Sequence, residues 1–287
     1  MKKIAFLFLT FDNPNFPKIW NSYLKRHSDK YSIYIHPKYP EKVTWKKNKI
    51  IKNLQETAWG FITRAYMELL KEAYKDTDNY KFVSISESCV PIQSFEIFYK
   101  ACMDDQRSLI KISQISRYDW EERLFMRDYK KRENAKKIIK HYARFCLNRE
   151  HIKLLLSKEK ALEYFHKMHV GDEFFLSVLY PLKNYKDFAV TYDDWEFIEK
   201  RGKEIKNLIR KLYIEQEKSN KVDKSSNILK YQKEYENTMK NPKTITDVKP
   251  DLEKIKKCDS FFYRKFAKDS NIEKYWKEII KAHDFKL

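Results

Sequence analysis

A continuous apolar run, Ile4-Ala5-Phe6-Leu7-Phe8-Leu9, stands near the start of a chain in which 35% of residues are charged. Polar, turn-forming residues follow it at once: Thr10, Phe11, Asp12 and Asn13. The run is far too short to cross a bilayer. It also lacks the length and small-residue cleavage site of a secretory signal. An uninterrupted apolar stretch of this size is what a parallel strand buried on both faces shows. The following segments extend that reading. Pro17 to Arg26 suits a helix, and Tyr31 to Ile35 a second strand closed by His36 and Pro37. Ile50 to Leu54 reads as a short third strand, Thr63 to Tyr74 as a helix with apolar positions at 66, 69, 70 and 73. Lys81 to Ile85 is another strand and Ser94 to Met103 another helix. Alternation of this kind predicts an α/β fold with a mainly parallel sheet.

The 287 residues fit one large domain or two closely joined halves, either able to bury a sizeable core. Only three are glycine, and neither GxGxxG nor GxxxxGK[ST] occurs, which argues against a Gly-rich phosphate loop. The formal charge is +19. A phosphate-bearing partner would suit it. Lysines interleaved with Glu and Asp throughout the chain fit solvated faces better, and no nucleic-acid-binding motif accompanies them. No pair among Cys89, Cys102, Cys146 and Cys258 has zinc-type spacing. With no signal or membrane span, the expectation is free thiols in a cytoplasmic protein that does not insert stably into membranes.

Further along, Phe145 to Leu147 reads as a strand meeting Asn148, which suits the N-cap of a helix from Arg149 onward. Asp172 to Leu179 looks helical and Ala189 to Tyr192 extended. Residues 197 to 240 are dense in Lys and Glu. Ile205, Leu208, Ile209 and Leu212, then Ile228, Leu229, Tyr231 and Tyr235, have helical spacing, so an inserted helical hairpin is expected there. It reads as a solvated appendage, with a lid or oligomerisation arm as the alternative.

Isolated clusters of chemistry-bearing residues admit bland readings. Asp76-Thr77-Asp78 precedes a strand and reads as a solvated turn. Ser86-Glu87-Ser88 offers one carboxylate, a poor site for Mg²⁺ or Mn²⁺. Without a metal, a leaving diphosphate would need cations, and Arg264-Lys265 with Lys243 are candidates. His166 and His169, with Asp172 nearby, lack a convincing third metal ligand. Nothing in the sequence places a His to activate Cys89. Asp172 and Glu173 begin an apolar-faced segment, where carboxylates ordinarily serve as caps and dipole partners. Glu173 as a general base is the functional alternative.

Several strings in order say more. Ala5 to Thr10, Tyr31 to His36 and Trp59-Gly60 precede Phe82-Val83-Ser84-Ile85-Ser86-Glu87-Ser88-Cys89-Val90-Pro91-Ile92. Asn148-Arg149-Glu150, Asp172-Glu173-Phe174-Phe175, Asp194-Trp195, Asn241 to Thr246 and Arg264-Lys265-Phe266 follow. The series resembles the core-2/I-branching β-1,6-N-acetylglucosaminyltransferase family (family 14 glycosyltransferases), most closely its plant-type branch. The resemblance implies a GT-A-like fold and an inverting, metal-independent transfer from a UDP-sugar to a glycan or glycoprotein hydroxyl. It places the catalytic base on Glu173. The donor nucleotide falls to Thr10, His36, Trp59, Gly60, Ser86 and Glu87, and the diphosphate to Lys243, Arg264 and Lys265. The acceptor falls to Glu87, Arg144, Asp172, Trp195 and Phe197.

On this reading, residues 1–125 form the nucleotide-sugar half and 126–196 the acceptor and catalytic half. The hairpin occupies 197–240, and 241–287 carries the diphosphate-binding cations. No cofactor or metal is expected beyond the UDP-sugar. Two departures stand out. His36-Pro37-Lys38 replaces a family His-x-Asp. His141-Tyr142-Ala143-Arg144 replaces a Gly-Ser-x-aromatic string of the acceptor site, which points to an unusual, anionic acceptor. The rival readings are a non-catalytic glycan- or nucleotide-binding relative and a basic nucleic-acid-binding protein.

Overall fold

The computed structural model describes residues 1–47, 49–114, 138–219, 225–238 and 242–284. The apolar run becomes the central strand β1 (Lys3–Thr10), parallel to β2 (Tyr31–Pro37) on one side and β3 (Asn79–Ser86) on the other. β8 (Cys146–Asn148) runs antiparallel to β3, β5 (Ser108–Ile110) antiparallel to β8, and β9 (Tyr185–Asp187) parallel to β5. The order β2-β1-β3-β8-β5-β9 makes one mostly parallel sheet. Strands from both expected halves of the chain therefore share a single layer. Two of the expected domain boundaries, 125/126 and 240/241, lie outside the described residues.

Side chains of β1 alternate between two cores. Ala5 and Leu7 face helices α2 (Thr63–Tyr74), α4 (Arg149–Ser157) and α5 (Glu159–Lys167). Ile4, Phe6 and Phe8 face α1 (Pro17–Tyr23) and α3 (Phe95–Asp104), where Trp20, Tyr23 and Phe98 pack around Phe6. Burial on both faces is why the strand needs no polar alternation. Helix α2 spans the predicted residues, with Tyr66, Leu69, Leu70 and Ala73 buried. Asn148 caps α4, its Oδ1 accepting from the His151 N–H at 2.9 Å.

A smaller sheet stands beside the large one. It orders β10 (Thr191–Asp193), β11 (Phe262–Arg264) and β4 (Val90–Pro91), with β10 and β11 parallel. A two-stranded ribbon joins β6 (Ile112–Ser113) to β7 (Lys140–His141). Two helices, α6 (Glu196–Ser219) and α7 (Ser225–Thr238), make the expected hairpin, clasped by Arg201–Glu234 at 2.9 Å and by Lys206 over the Tyr235 ring. The last helices are α8 (Leu252–Lys257) and α9 (Ile272–Asp284). No helix among the described residues is long and apolar enough to cross a membrane.

Three expectations need correction. Ile50 to Leu54 is no strand: it meets β2 at a single bridge, Ile35 to Ile50, and then leaves it as the Gln55 N–H turns to the His36 ring. The first helix ends at Tyr23, and Arg26 turns the chain with φ 70°. Asp172 to Leu179 is not one α-helix but two 3₁₀ turns, Gly171–Glu173 and Phe175–Leu179, separated by Phe174 at φ −133°. The sequence pattern detects burial there, but the close fit of Gly171 onto the Phe165 carbonyl sets the tighter path.

Candidate active site

The site assembles where β1 and β3 end. Beyond β3 the chain turns through Ser86-Glu87-Ser88, the Cys89 N–H donating back to the Ser86 carbonyl at 3.1 Å. Two distant segments fasten onto this turn. Asn15 donates its N–H to the Glu87 carbonyl at 2.9 Å, and its Nδ2 to the Phe266 carbonyl at 3.3 Å. Phe266 N–H donates to the Ser88 carbonyl at 3.2 Å, and Ile245 N–H to the Lys265 carbonyl at 2.8 Å. Arg264-Lys265-Phe266 is thereby held by backbone bonds on both sides, so its cations reach the site on a rigid strip.

Glu87 sits within the field of three cations. Burial raises its carboxyl above the usual range, while its own backbone and the charges of Arg144, Arg264 and Lys265 work the other way. Burial lowers the Lys265 ammonium, as does the neighbouring Arg264 charge, with Glu87 and Asp193 opposing. Arg264 faces Asp193 across the small sheet, the two being register partners, with Nη1 and Oδ1 2.9 Å apart. Arg144 is buried, and its Nη1 donates to the Tyr66 hydroxyl and, at 3.2 Å, to the Ala143 carbonyl. Its Nε and that of Arg264 are buried without a hydrogen-bond partner among the described residues. The two guanidinium groups and Lys265 thus set a positive field around a partly buried carboxylate.

The predicted base joins the same neighbourhood. Asp172 is buried and acts electrostatically on both Arg144 and Tyr66. Glu173 is partly buried. It acts, with Asp193, on the Tyr142 phenol, whose pKa burial already raises. Tight backbone packing places the pair: a Cβ at Gly171 would stand 2.0 Å from the Phe165 carbonyl oxygen, and Val170 before it takes a left-handed φ of 57°. Val170 N–H also donates to the Gly60 carbonyl at 2.6 Å. Gly60 itself has φ 79°, with exposed Trp59 and Phe61 flanking the His169 ring at 5.0 and 5.5 Å. The Trp59-Gly60 loop and the Asp172-Glu173 turn therefore form one unit.

The remaining predicted residues are placed differently. Thr10 donates its hydroxyl to the Asp12 carbonyl at 2.8 Å and shapes the loop after β1. His36 is buried, which lowers its pKa, and its Nε2 accepts from the Gln55 N–H at 2.8 Å. Ser86 Oγ lies 3.2 Å from Ser88 Oγ and 3.1 Å from Cys89 Sγ. Lys243 forms a two-oxygen ion pair with Asp251, at 2.7 and 2.9 Å, and lies 5.2 Å from the Phe197 ring centre. Trp195 bridges backbone groups at the start of α6, donating to Asp193 and accepting from Glu199. Phe197 is exposed on that helix. Of the three predicted diphosphate cations, Lys265 and Arg264 share the field around Glu87, whereas Lys243 is committed to Asp251.

Tyr66 and Asp193 belong to the neighbourhood but escaped the sequence reading, which met Tyr142 only as part of the 141–144 string. Tyr66 reads as one more apolar position of α2. Asp193 directly precedes the Asp194-Trp195 string, which was its only signal. Other groups singled out in the sequence have structural partners. Asp76 and Asp78 pair with Lys3 at 3.5 and 3.1 Å, and His166 with Glu163 at 3.3 Å. Among the described residues, no group of three or more His, Cys, Asp or Glu could hold a metal ion. A hollow of about 530 Å³ lined by Tyr192, Tyr263 and Cys258 lies behind the small sheet. Strand alternation turns Tyr192 and Tyr263 away from Asp193 and Arg264, so it is separate from the site.

These features define a class: an α/β protein whose candidate site opens beyond the carboxyl ends of its parallel strands, where such sheets bind ligands. The profile of the Core-2/I-Branching enzyme family matches residues 4–216, and the chain belongs to that family. It is also similar to the rice (Oryza sativa subsp. japonica) protein Glycosyltransferase BC10, 27% identical over 119 residues. That alignment covers 38% of this chain and 30% of the rice protein, so the chain spans under a third of that relative.

Proposed function

We propose that this protein is an inverting, metal-independent glycosyltransferase that moves N-acetylglucosamine from its UDP-sugar to a glycan or glycoprotein hydroxyl. The observation that carries the reading is the clustering of Lys265, Arg264 and Arg144 around Glu87, in the same field as Asp172 and, through Tyr142 and Asp193, Glu173. Family membership supports the class of reaction.

In the proposed reaction the Glu173 carboxylate takes the proton of the acceptor hydroxyl. That oxygen attacks the anomeric carbon, and the bond from that carbon to the diphosphate oxygen breaks with inversion. The electron pair leaves on UDP, and Lys265 and Arg264 face the developing charge in a partly desolvated site, where such contacts count most. Tyr66 holds Arg144, in the field of Asp172, and Arg144 orients the acceptor. Trp59 and Gly60 border the donor side.

A panel of UDP-sugars tests the reading, with binding and donor hydrolysis followed in excess EDTA. Selective turnover of one UDP-sugar is expected. Binding without turnover under any acceptor would instead favour a non-catalytic relative. A strict Mn²⁺ requirement would overturn the metal-free step.

A further inference from the structure

Beside the site runs a groove of about 640 Å³, within the range of small-ligand sites. It lies between the loop after β1, the segment 44–47 and the stretch following Lys265. Its walls include Asn13, Asn21, Trp45, Lys46, Lys47 and Lys268. Among the described residues none of its lining side chains is a carboxylate. Lys46 and Lys47 are exposed and have no ion-pair partner among the described residues. Lys268 meets only the rim carboxylate Asp12, at 3.8 Å, and is 76% exposed. Three cations along one groove with no lining carboxylate among the described residues form a directed positive field.

The groove is also built. Asn13 Oδ1 accepts from the N–H groups of Thr44 and Trp45, each at 2.8 Å, and Asn13 Nδ2 donates to the Lys42 carbonyl at 3.1 Å. Trp45 Nε1 donates to Asn21 Oδ1 at 2.9 Å, fixing the indole as one wall. The groove adjoins the segments that carry Glu87 and Lys265. Asn15, on its wall, is the residue that bonds both the Glu87 carbonyl and the Phe266 carbonyl. Lys268 follows Lys265 on the same strip. The groove thus shares the residue Asn15 with the fastening of the Glu87 turn to the Phe266 strip.

We propose that this groove seats an anionic stretch of the acceptor glycan, a run of sugars bearing carboxylate, sulfate or phosphate groups, next to the sugar that receives the transfer. Lysines engage the charges, while the exposed Asn21 side chain suits ring hydroxyls. The proposal rests on the transferase reading for the word acceptor, but not for the binding of the polyanion.

The probe is a hexameric oligogalacturonate, compared with a neutral cello-oligosaccharide of equal length and a single-stranded oligonucleotide of equal charge. Binding to the wild type and to a Lys46→Ala/Lys47→Ala/Lys268→Ala variant is measured by calorimetry at two salt concentrations, with UDP binding measured in parallel. The oligogalacturonate should bind the wild type at least about tenfold more tightly than the neutral chain, and the variant should lose about tenfold with a shallower salt dependence. UDP affinity should be unchanged in the variant, which also reports that it is folded. Equal binding of the charged and neutral glycans, or an unaffected variant, overturns the groove. Preference for the oligonucleotide over the glycan would replace the ligand class with nucleic acid. A wild type that binds the uronate but no UDP would sink the transferase reading and leave the groove standing. UDP binding without glycan preference would sink the groove alone.

Discussion

Gly60 lies against His169 so closely that a Cβ added to it would stand 2.4 Å from the His169 ring. Its φ of 79° adds a second reason for glycine, because L-residues adopt that conformation at a cost of about 1 kcal/mol or more. The contact joins the Trp59-Gly60 loop to the segment that leads into the turn carrying Glu173. Gly60→Ala should therefore push on Val170 and the residues after it. We expect donor turnover to fall about tenfold or more, with thermal stability lowered only modestly. Steady-state kinetics beside a melting curve would separate the two, and normal turnover in a folded variant would uncouple the loop from the base.

Glu173→Gln keeps the shape of the side chain and removes its ability to take a proton. Turnover should drop by about 10²–10⁴-fold. UDP affinity should survive, since the cations that face the diphosphate are untouched. A variant that still transfers sugar would remove Glu173 from the base role.

Lys265 loses its proton at lower pH than an ordinary lysine, because burial and then the Arg264 charge disfavour its ammonium. If its charge serves the leaving UDP, kcat/KM must decline as pH rises through that lowered pKa. Arg264→Gln removes one of the causes and should move the alkaline limb to higher pH, while also lowering the plateau. The pH profile of kcat/KM reads this, and a limb that does not move would exclude Lys265 as its origin.

His141 is fully buried, and burial lowers its pKa from 6.5 to about 4. Its Nδ1–H donates to the Tyr142 carbonyl at 3.0 Å and Nε2 accepts from the Leu176 N–H at 3.4 Å, an arrangement that only the neutral ring satisfies. Between these pH values the unfolded chain binds the extra proton. Stability is thus fully present above 6.5 and is lost as pH falls toward 4, by about 3 kcal/mol. Denaturant unfolding across that range should show the slope, and His141→Gln should flatten it. An equally steep slope in the variant would assign the loss to other groups.

Lys81 is entirely buried on β3, and its ammonium donates to the carbonyls of Asp105, at 2.7 Å, and Arg107, at 2.6 Å, just past the end of α3. Lys81→Met would leave those acceptors unmet, at a cost of about 1–3 kcal/mol. Chemical denaturation would measure it, and an unchanged midpoint would show that water replaces the ammonium.

What the sequence reveals and what it hides follow from the range of the interactions. Ile4 to Leu9, Thr63 to Tyr74 and the Asn148 cap are legible because burial and capping leave local patterns. The segment 171–179 is not, because its path depends on Gly171 fitting the Phe165 carbonyl, a contact that residue spacing does not encode. The hairpin is legible from periodicity, yet the partner of Lys243 is not. Asp251 is only eight residues away, but the approach depends on the intervening backbone. Motif order brought Glu87, Arg144, Lys265 and Glu173 into view together. Tyr66, an ordinary member of an apolar helix face by sequence, is revealed only by the guanidinium that bonds it.

Asn15 fastens the Glu87 turn to the Phe266 strip, and Lys265 enters the site on that strip. Some 250 positions of chain separate the two anchoring segments, as the span from Asn15 to Phe266 shows. During synthesis, a polypeptide extended only to the end of β9 already contains every strand of the large sheet. It lacks the basic strip, so the cleft would be unable to hold a departing diphosphate. Catalytic competence would then arrive late and abruptly, as a property of the finished molecule and not of its folding core.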